Sequence, residues 1–195
     1  KHDKIKKQLV YDNALLKIYD FPILYFPKFF HPDPTVRRQS GFLQPRINNS
    51  NILGNSFSIP YYHVISNSND YTFSPTIFED SLLMLQNEYR QVLLNSNIKS
   101  DFSFLVGNEG TKSHLFYNQF GKIKDNVTFK LNLQGVEGDN YLKNHKLSET
   151  SSLIEDDGLL LSNLDINWNF ENSNLSTSFK VFEDLSQNYH DRYQY

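Results

Sequence analysis

The sequence contains no cysteine, one tryptophan and one methionine, and its single alanine is Ala14. Without cysteine the chain can form neither internal disulfides nor thiolate metal sites, and thiol catalysis is excluded. It also lacks an uninterrupted apolar run of the roughly 18–20 residues that a membrane-spanning helix needs. Its 19 basic residues are balanced by 22 acidic ones, so the charge gives no reason to expect a nucleic acid as partner.

The 195 residues suffice for one medium domain or for parts of two. The chain begins at Lys1 without a signal-peptide pattern and ends at Tyr195 within an aromatic-rich segment. We therefore expect a fragment of a longer protein, whose export signal, if it has one, lies upstream.

Aromatic residues are abundant, with 16 Phe and 12 Tyr beside many Asn and Ser. Aromatic residues favour strands, whereas Asn and Ser favour turns. A low-GC genome would produce part of the same bias. Composition therefore only favours β structure, and periodicity has to decide.

Several segments alternate apolar and polar residues with a period of two. The alternation is clearest from Asn126 to Gln134, and it recurs at Leu164–Phe170, Leu175–Val181 and Leu83–Leu93. A helix would place these apolar residues on no common face, so we predict strands. Asn- and Ser-rich segments between them predict turns, and Gly138–Gly158 predicts an acidic loop. The predicted fold is all-β, an antiparallel meander of about eight strands.

Two kinds of protein produce this alternation. In a soluble β-sandwich, such as a carbohydrate-binding domain with exposed Tyr and Trp, the apolar faces form a core. In an outer-membrane β-barrel, such as a porin-like channel, they face lipid and the polar faces line the lumen. The polar faces here consist mainly of Asn, Ser, Thr and Gln. That composition suits a wet lumen and a solvated sandwich surface equally, so the pattern alone leaves both open.

The first forty residues differ in character from the rest. Two short strand-like segments, Gln8–Tyr11 and Ala14–Tyr19, precede Phe21–Pro34, which contains four prolines. Because proline lacks an N–H and restricts the residue before it, we expect no regular central strand or helix there. We predict the end of one β domain at residues 1–33, a junction at 34–40 and a second β domain at 41–195.

Four motifs follow one another in the first half of the chain. They are Phe21-Pro22-Ile23-Leu24-Tyr25-Phe26-Pro27, Arg37-Arg38-Gln39-Ser40-Gly41-Phe42-Leu43-Gln44-Pro45, Ile59-Pro60-Tyr61-Tyr62 and Asp70-Tyr71-Thr72-Phe73-Ser74-Pro75. Together with two shorter matches, Leu85–Arg90 and Gly138–Leu142, this ordered set resembles the lipopolysaccharide-assembly outer-membrane protein (LptD) family, also called organic solvent tolerance proteins.

The resemblance implies a non-enzymatic component of the Gram-negative outer membrane that inserts lipopolysaccharide into the outer leaflet. In that family a periplasmic β-jellyroll receives the glycolipid from an LptA-like bridge protein. The jellyroll adjoins a large barrel that an LptE-like lipoprotein plugs. Residues 1–33 would then be the last jellyroll strands, and residues 41–195 would be the first part of the transmembrane β-barrel. No cofactor is implied.

The resemblance also implies a lateral gate, where the first and last barrel strands meet. Pro45 and Pro60 are expected in the first two barrel strands, where each missing N–H weakens pairing by ~1 kcal/mol. On pattern alone the two prolines suit strand ends or bulges; with the resemblance we predict the gate. Arg37 and Arg38 lie at the junction, and guanidinium groups suit the phosphates of lipopolysaccharide. A solvated hinge or a pair of structural salt bridges is the alternative for these arginines.

The sequence shows little sign of metal binding or of catalysis. The six histidines are scattered without metal-ligand spacing, so we predict no metal site. No phosphate-binding or dinucleotide motif is present, and the sequence singles out no group of Ser, His and carboxylate. We therefore expect no catalytic residue.

Overall fold

The computed structural model describes residues 2–3, 8–18, 20–32, 38–50, 53–79, 82–107, 110, 112–188 and 191–195. The chain divides into two compact units, Lys1–Gly41 and Phe42–Tyr195. Both consist almost entirely of antiparallel strands, which confirms the predicted all-β class. The assignment of the first unit to a jellyroll stays a prediction.

The first unit is a three-stranded sheet with the order β1-β2-β3. Its strands are β1 (His2–Asp3), β2 (Gln8–Ile18) and β3 (Phe21–Pro32). The two strand-like segments of the sequence are thus one strand, β2, which continues through Asn13 at a positive φ of 56°. In the described part of this sheet the proline-rich β3 pairs with β2 alone. An edge position is where a strand tolerates proline.

The second unit contains a twelve-stranded antiparallel sheet. Its strands are β4 (Gly41–Phe42), β5 (Arg46–Ser50), β6 (Gly54–Ser58), β7 (Tyr61–Val64), β8 (Asn69–Phe78), β9 (Leu83–Val92), β10 (Ser96–Val106), β11 (Lys112–Lys124), β12 (Val127–Glu137), β13 (Leu159–Asn169), β14 (Asn174–Asp184) and β15 (Tyr193–Gln194). From β8 to β15 every strand pairs with its neighbour in the chain. The predicted meander is therefore confirmed, with more strands than the pattern indicated.

The seven strands β8–β14 are the long ones, at 10–13 residues each. Alternation had indicated β9, β12, β13 and β14 from their central residues. The strands β4–β7 are only 2–5 residues long. Each of the first two positions of the sheet, here called strand tracks, is split into two short strands, β4 with β5 and β6 with β7. Pro45 and Pro60 lie at these splits.

Residues 138–158 are more ordered than the predicted acidic loop. They contain a short helix, α1 (Tyr141–Asn144), and a 3-10 helix, Leu147–Glu149. The buried apolar cluster lies where they meet the sheet, and it comprises Phe78, Met84, Leu105, Phe116, Tyr141, Leu142, Leu147, Ile154, Leu160 and Leu185. Within 138–158 the apolar residues follow neither a period of two nor one of 3.6, so the pattern did not reveal this packing. No helix in the described part of the chain is long and apolar enough to cross a membrane.

Gly121 provides a test of the strand packing. A Cβ at this position would lie 2.5 Å from the Cβ of Ser96 and 2.7 Å from the carbonyl oxygen of Asn95. We expect Gly121→Ala to lower the free energy of unfolding by about 1–3 kcal/mol, because backbone has to move. A urea titration of the intact protein measures the change.

Gly135→Ala is the matched control, because nothing lies within 4 Å of a Cβ built there. We expect it to change the free energy of unfolding by no more than about 0.5 kcal/mol. Equal losses for the two variants would contradict the described pairing of β11 with β10 and β12.

Candidate functional site

The strands β8–β14 have two faces of opposite chemistry. Residues that lie opposite each other in an antiparallel pair share a face, so the registers trace each face across the sheet. One face, here called the apolar face, carries Tyr71, Phe73, Pro75, Ile77, Leu83, Leu85, Tyr89, Ile98, Phe102, Phe104, Leu115, Tyr117, Phe129, Leu131, Leu133, Leu164, Ile166, Trp168, Leu175, Phe179 and Val181. Its charged residues lie only at strand ends, at Lys124, Glu137 and Glu183.

The opposite face, here called the polar face, carries the charges and most of the amides and hydroxyls. Its members include Asp70, Thr72, Gln86, Glu88, Arg90, Lys99, Asp101, Ser103, His114, Lys130, Asn132, Gln134, Asn163, Asp165, Ser178 and Lys180. The segregation is what the alternation in the sequence predicted.

Many residues of the apolar face are exposed, whereas the part of the polar face that residues 138–158 cover is buried and also carries the apolar core residues Phe78, Met84, Leu105 and Phe116. On the apolar face Leu115 is 58% exposed and Phe179 is 64% exposed, whereas on the polar face Asp101 and Ser103 are 0% exposed. A soluble sandwich buries its apolar face and leaves the polar one in water. The exposed apolar face therefore weighs against the carbohydrate-binding sandwich that the sequence left open.

Charges on the polar face neutralise one another in a chain across β8, β9 and β10. The Arg90 guanidinium lies 2.6 Å from Asp70 and 2.7 Å from Glu88, and it donates to the Thr72 hydroxyl at 3.2 Å. Lys99 lies 3.8 Å from the other oxygen of Glu88. Two cations thus neutralise two carboxylates, which is how charges persist on a partly covered surface.

A buried group of Ser, His and Asp lies further along the polar face. Ser103 Oγ is 2.6 Å from His114 Nδ1, and His114 Nε2 is 2.9 Å from Asp101 Oδ1. The hydroxyl of Tyr141, from α1, lies 2.6 Å from Ser103 Oγ. Burial raises the pKa of Tyr141 to about 12; the Ser103 bond lowers it and the Asp101 charge raises it.

Sequence reasoning missed this group because its members meet only through register. Ser103 of β10 lies opposite His114 of β11, and no local spacing reveals that pairing. The resemblance to a Ser-His-Asp triad is one of composition. Asp101 and Ser103 are fully covered, and Tyr141 caps the serine. In this arrangement the group joins packed elements, and the Ser103 hydroxyl is covered by Tyr141.

The two predicted gate prolines lie at strand interruptions. Pro45 directly precedes β5 and Pro60 directly precedes β7. The register of β5 with β6, Arg46 opposite Ser58, brings both prolines to the same gap in the ladder. Across this gap the N–H of Leu43 donates to the carbonyl oxygen of Pro60 at 2.8 Å. The structure therefore brings Pro45 and Pro60 together; their role as a gate stays a prediction.

A third proline, Pro75, lies in the neighbouring strand β8, opposite the gap between β6 and β7. The pairs Ser58–Thr76 and Tyr61–Phe73 keep one register on either side of the gap between β6 and β7. That register puts Pro75 of β8 opposite the gap. Sequence reasoning quoted Pro75 in a motif without giving it a role, although its proline chemistry was the available signal.

The two predicted arginines are placed differently. Arg37 lies outside the described residues, and Arg38 is an exposed residue that precedes β4. The contact of both arginines with lipopolysaccharide stays a prediction.

An antiparallel meander with an apolar face that is uncharged between its strand ends, and a charged polar face that is partly covered, is the arrangement of an outer-membrane β-barrel wall. Strands β8–β14 are 10–13 residues long, close to the ~9–11 residues with which a tilted strand crosses a bilayer. Over the described residues the sheet does not close on itself, because its order ends at β5 and β15. The class defined by fold and faces is thus a segment of barrel wall.

Comparison with known proteins gives the family. The chain is 30% identical over 148 residues to the LPS-assembly protein LptD of Legionella pneumophila strain Lens, covering 74% of this chain and 17% of that protein. It is 29% identical over 158 residues to LptD of Legionella pneumophila strain Paris, covering 80% and 19%. It is 28% identical over 189 residues to LptD of Polaromonas sp. strain JS666, covering 91% and 22%. No family model matches the chain.

The chain belongs to the LPS-assembly protein LptD family, which confirms the resemblance seen in the sequence motifs. It spans about a fifth of the length of the curated relatives that it matches, at 17%, 19% and 22%. Membership of this family implies the outer membrane as the location.

Arg90 provides a test of the charge chain. Arg90→Met leaves Asp70, whose side chain is 11% exposed, and Glu88, whose side chain is 17% exposed, without their nearest cation. We expect the free energy of unfolding of the intact protein to fall by about 1–3 kcal/mol. The loss is smaller than for a fully buried pair because the Arg90 side chain is 40% exposed. A urea titration in detergent measures it.

Lys180→Met is the control, since it removes a cation from an exposed position of the same face. We expect a change within about 0.5 kcal/mol. Adding Asp70→Asn to Arg90→Met should recover part of the loss, because it removes a carboxylate that has lost its ion pair with Arg90. An unchanged stability in Arg90→Met would show that the chain of charges contributes nothing.

Proposed function

We propose that the chain is part of an outer-membrane protein that assembles lipopolysaccharide, inserting it into the outer leaflet through a lateral gate at the first strands. The observation that carries the proposal is the similarity to LPS-assembly proteins LptD, which extends over 67–91% of the chain. The exposed, uncharged apolar face supports the membrane location. The role is non-enzymatic, since it moves a lipid without making or breaking covalent bonds in it.

The two faces of the sheet match the two halves of the substrate. Lipopolysaccharide joins acyl chains to a phosphorylated sugar head, so its halves need different solvents. A wall with lipid on one side and a polar lumen on the other separates those solvents. An amphiphile that leaves such a barrel has to cross the wall where backbone pairing can open.

Pairing between the first two strand tracks is interrupted at one gap. Pro45 and Pro60 share this gap, and each removes an N–H that would be worth ~1 kcal/mol net in a ladder. In the sheet order β5 is the terminal strand beyond β6, which is where the closing strand of a complete barrel would pair. The prolines would thus weaken the ladder directly beside that seam, which supports a gate there.

We further propose the family's wider assembly for the intact protein. Residues 1–33 would end a periplasmic jellyroll that receives lipopolysaccharide from an LptA-like bridge protein. An LptE-like lipoprotein would plug the barrel. Arg37 and Arg38 would contact the phosphates of the glycolipid as it passes from one domain to the other.

Restoring the two missing N–H groups tests the gate. Pro45→Ala with Pro60→Ala is introduced into the intact protein in cells, together with a photo-crosslinking amino acid at Phe57, which lies on the apolar side beside the gap. We expect about tenfold fewer lipopolysaccharide adducts and less lipopolysaccharide at the cell surface, because two added bonds at ~1 kcal/mol each hold the seam closed.

Pro75→Ala is the matched control, because it restores an N–H one ladder away from the sheet edge and should have a smaller effect. Normal export and unchanged adducts in the double variant would count against the gate. Adducts with protein alone, at normal expression of the wild type, would leave the first strands as scaffold. Ion conductance with surface lipopolysaccharide independent of the protein would favour a porin-like channel instead.

A further inference from the structure

The segment 138–158, here called the lid segment, is tied to the polar face by a hydrogen-bonded chain that begins and ends on the segment itself. At one end the Tyr141 hydroxyl lies 2.6 Å from Ser103 Oγ. At the other end the Thr150 hydroxyl donates to Gln86 Oε1 at 3.0 Å. Tyr141 and Thr150 therefore fasten both halves of the lid segment, on strands β10 and β9.

The middle of the chain connects these two ends through three strands. Ser103 Oγ lies 2.6 Å from His114 Nδ1, and His114 Nε2 lies 2.9 Å from Asp101 Oδ1. Gln86 Nε2 donates to the other carboxylate oxygen of Asp101 at 3.2 Å. The sequence of contacts, here called the relay, is thus Tyr141, Ser103, His114, Asp101, Gln86 and Thr150.

Donor counting gives the relay one direction in which every hydrogen is used. An ionised Asp101 only accepts, so His114 donates to it from Nε2. His114 Nδ1 then accepts from the Ser103 hydroxyl, and Ser103 Oγ accepts from Tyr141. If His114 carried a proton on Nδ1 as well, it would donate to Ser103 Oγ, and the Ser103 hydroxyl would have to point towards Tyr141. The phenol hydrogen of Tyr141 would then have no acceptor within the relay. The relay therefore aligns Ser103 as an acceptor for the lid segment.

The relay is almost completely buried. Asp101 and Ser103 are 0% exposed, Tyr141 is 1% exposed, and Gln86 is 5% exposed. Buried polar groups are costly when they lose their partners, so the lid segment cannot lift at one end without water reaching the relay. The segment is also seated by apolar anchors, namely Leu142, Leu147, Ile154 and the ring of Tyr141. The relay adds buried polar contacts to this apolar packing.

A glycine lies at each end of the lid segment. Gly138 follows β12 with a φ of +103°, a conformation that residues with a Cβ rarely adopt. Gly158 precedes β13, and its carbonyl oxygen accepts from the N–H of Leu185 at 2.8 Å. Near the first end, Arg192 lies 2.6 Å from Asp139. Both ends are thus held by contacts outside the relay, whereas the relay fastens the part between them.

We propose that residues 138–158 form a lid over one end of the polar face, and that the relay from Tyr141 to Thr150 is its latch. Opening the lid would expose Gln86, Asp101 and Ser103 to whatever occupies the polar side of the sheet. His114 is a positioning residue, because it acts on the lid only through Ser103. The lid and latch go beyond the proposed function and do not depend on it.

Hydrogen exchange of the intact protein in detergent micelles tests the latch. Tyr141→Phe and Thr150→Val each remove one end bond while keeping the side-chain volume. Thr150→Val also removes a contact within the lid segment, from the Thr150 hydroxyl to the carbonyl oxygen of Leu147 at 3.1 Å, so Tyr141→Phe is the cleaner of the two variants. The reporters are the amides of Asn144, Thr150 and Ser151, which donate within the lid segment. We expect about five- to tenfold faster exchange of these amides in either variant, and faster still in both together. Exchange in β10 and β11 should stay unchanged.

Two further variants complete the test, one as a control outside the relay and one within it. Tyr117→Phe removes a hydroxyl that bonds Gln119 outside the relay, and should leave the lid amides at the wild-type rate. His114→Gln should accelerate them as Tyr141→Phe does, and the two changes combined should be less than additive because they break one chain.

Two outcomes would overturn the latch. If Tyr141→Phe, Thr150→Val and their combination all exchange at the wild-type rate, the lid segment is seated by its apolar contacts alone. If His114→Gln accelerates exchange in β10 and β11 as much as in the lid segment, the relay stabilises the sheet as a whole and does not act as a latch.

Discussion

The exclusion of charge from one face of the sheet is the constraint on which the rest of this structure depends. In the strands β8–β14 the charged residues of the apolar face lie only at strand ends, at Lys124, Glu137 and Glu183. Every other charge of these strands falls on the polar face. A lone exposed leucine means little, but an uncharged face that extends across seven long strands requires an apolar solvent. Lipid on that side fixes which way the sheet faces.

Once the faces are fixed, the polar side has to satisfy its own groups. It does so in two ways along the sheet. Arg90 and Lys99 neutralise carboxylates where the face is partly open. Residues 138–158 cover another part of the face. There Asp101 is joined to the hydroxyls of Tyr141, Ser103 and Thr150, the imidazole of His114 and the amide of Gln86 in one hydrogen-bonded chain. The open part of the face thus uses ion pairs, whereas the covered part surrounds a single carboxylate with hydrogen-bond donors.

The same sheet is uneven in the strength of its backbone pairing. The ladders from β8 to β12 and from β13 to β14 run along most of each strand. The β12–β13 ladder covers only Val127–Asn132 of β12, and pairing is also interrupted where the first two strand tracks meet. Prolines at such interruptions remove donors without adding charge to the apolar face. A wall can thus be uncharged towards lipid between its strand ends and still contain places where its backbone pairing is interrupted.

Much of the fold was predictable because it is local. A period of two along β9, β12, β13 and β14 predicts strands and their two faces from neighbouring residues alone. The ordered motifs around Pro45 and Pro60 predicted the family, which the relatives confirm. Which face is buried was not predictable, because a sandwich and a barrel share one alternation.

What the sequence could not give depends on register and on irregular packing. Ser103 and His114 meet because β10 and β11 pair in one register, and a shift by one residue would separate them. Residues 138–158 pack through apolar side chains that follow no period. The pairing of Pro75 with the gap between β6 and β7 likewise becomes visible only from the registers.

Spin labels on neighbouring residues of β14 test the orientation of the faces most directly. Phe179 lies on the apolar face and Ser178 on the polar face, and both are exposed in this chain. In the intact protein reconstituted in lipid, a nitroxide at Phe179 should be quenched by oxygen and shielded from a water-soluble nickel chelate. A nitroxide at Ser178 should be less accessible to oxygen. Access of the chelate to Phe179, with oxygen favouring Ser178, would contradict a lipid-facing apolar side.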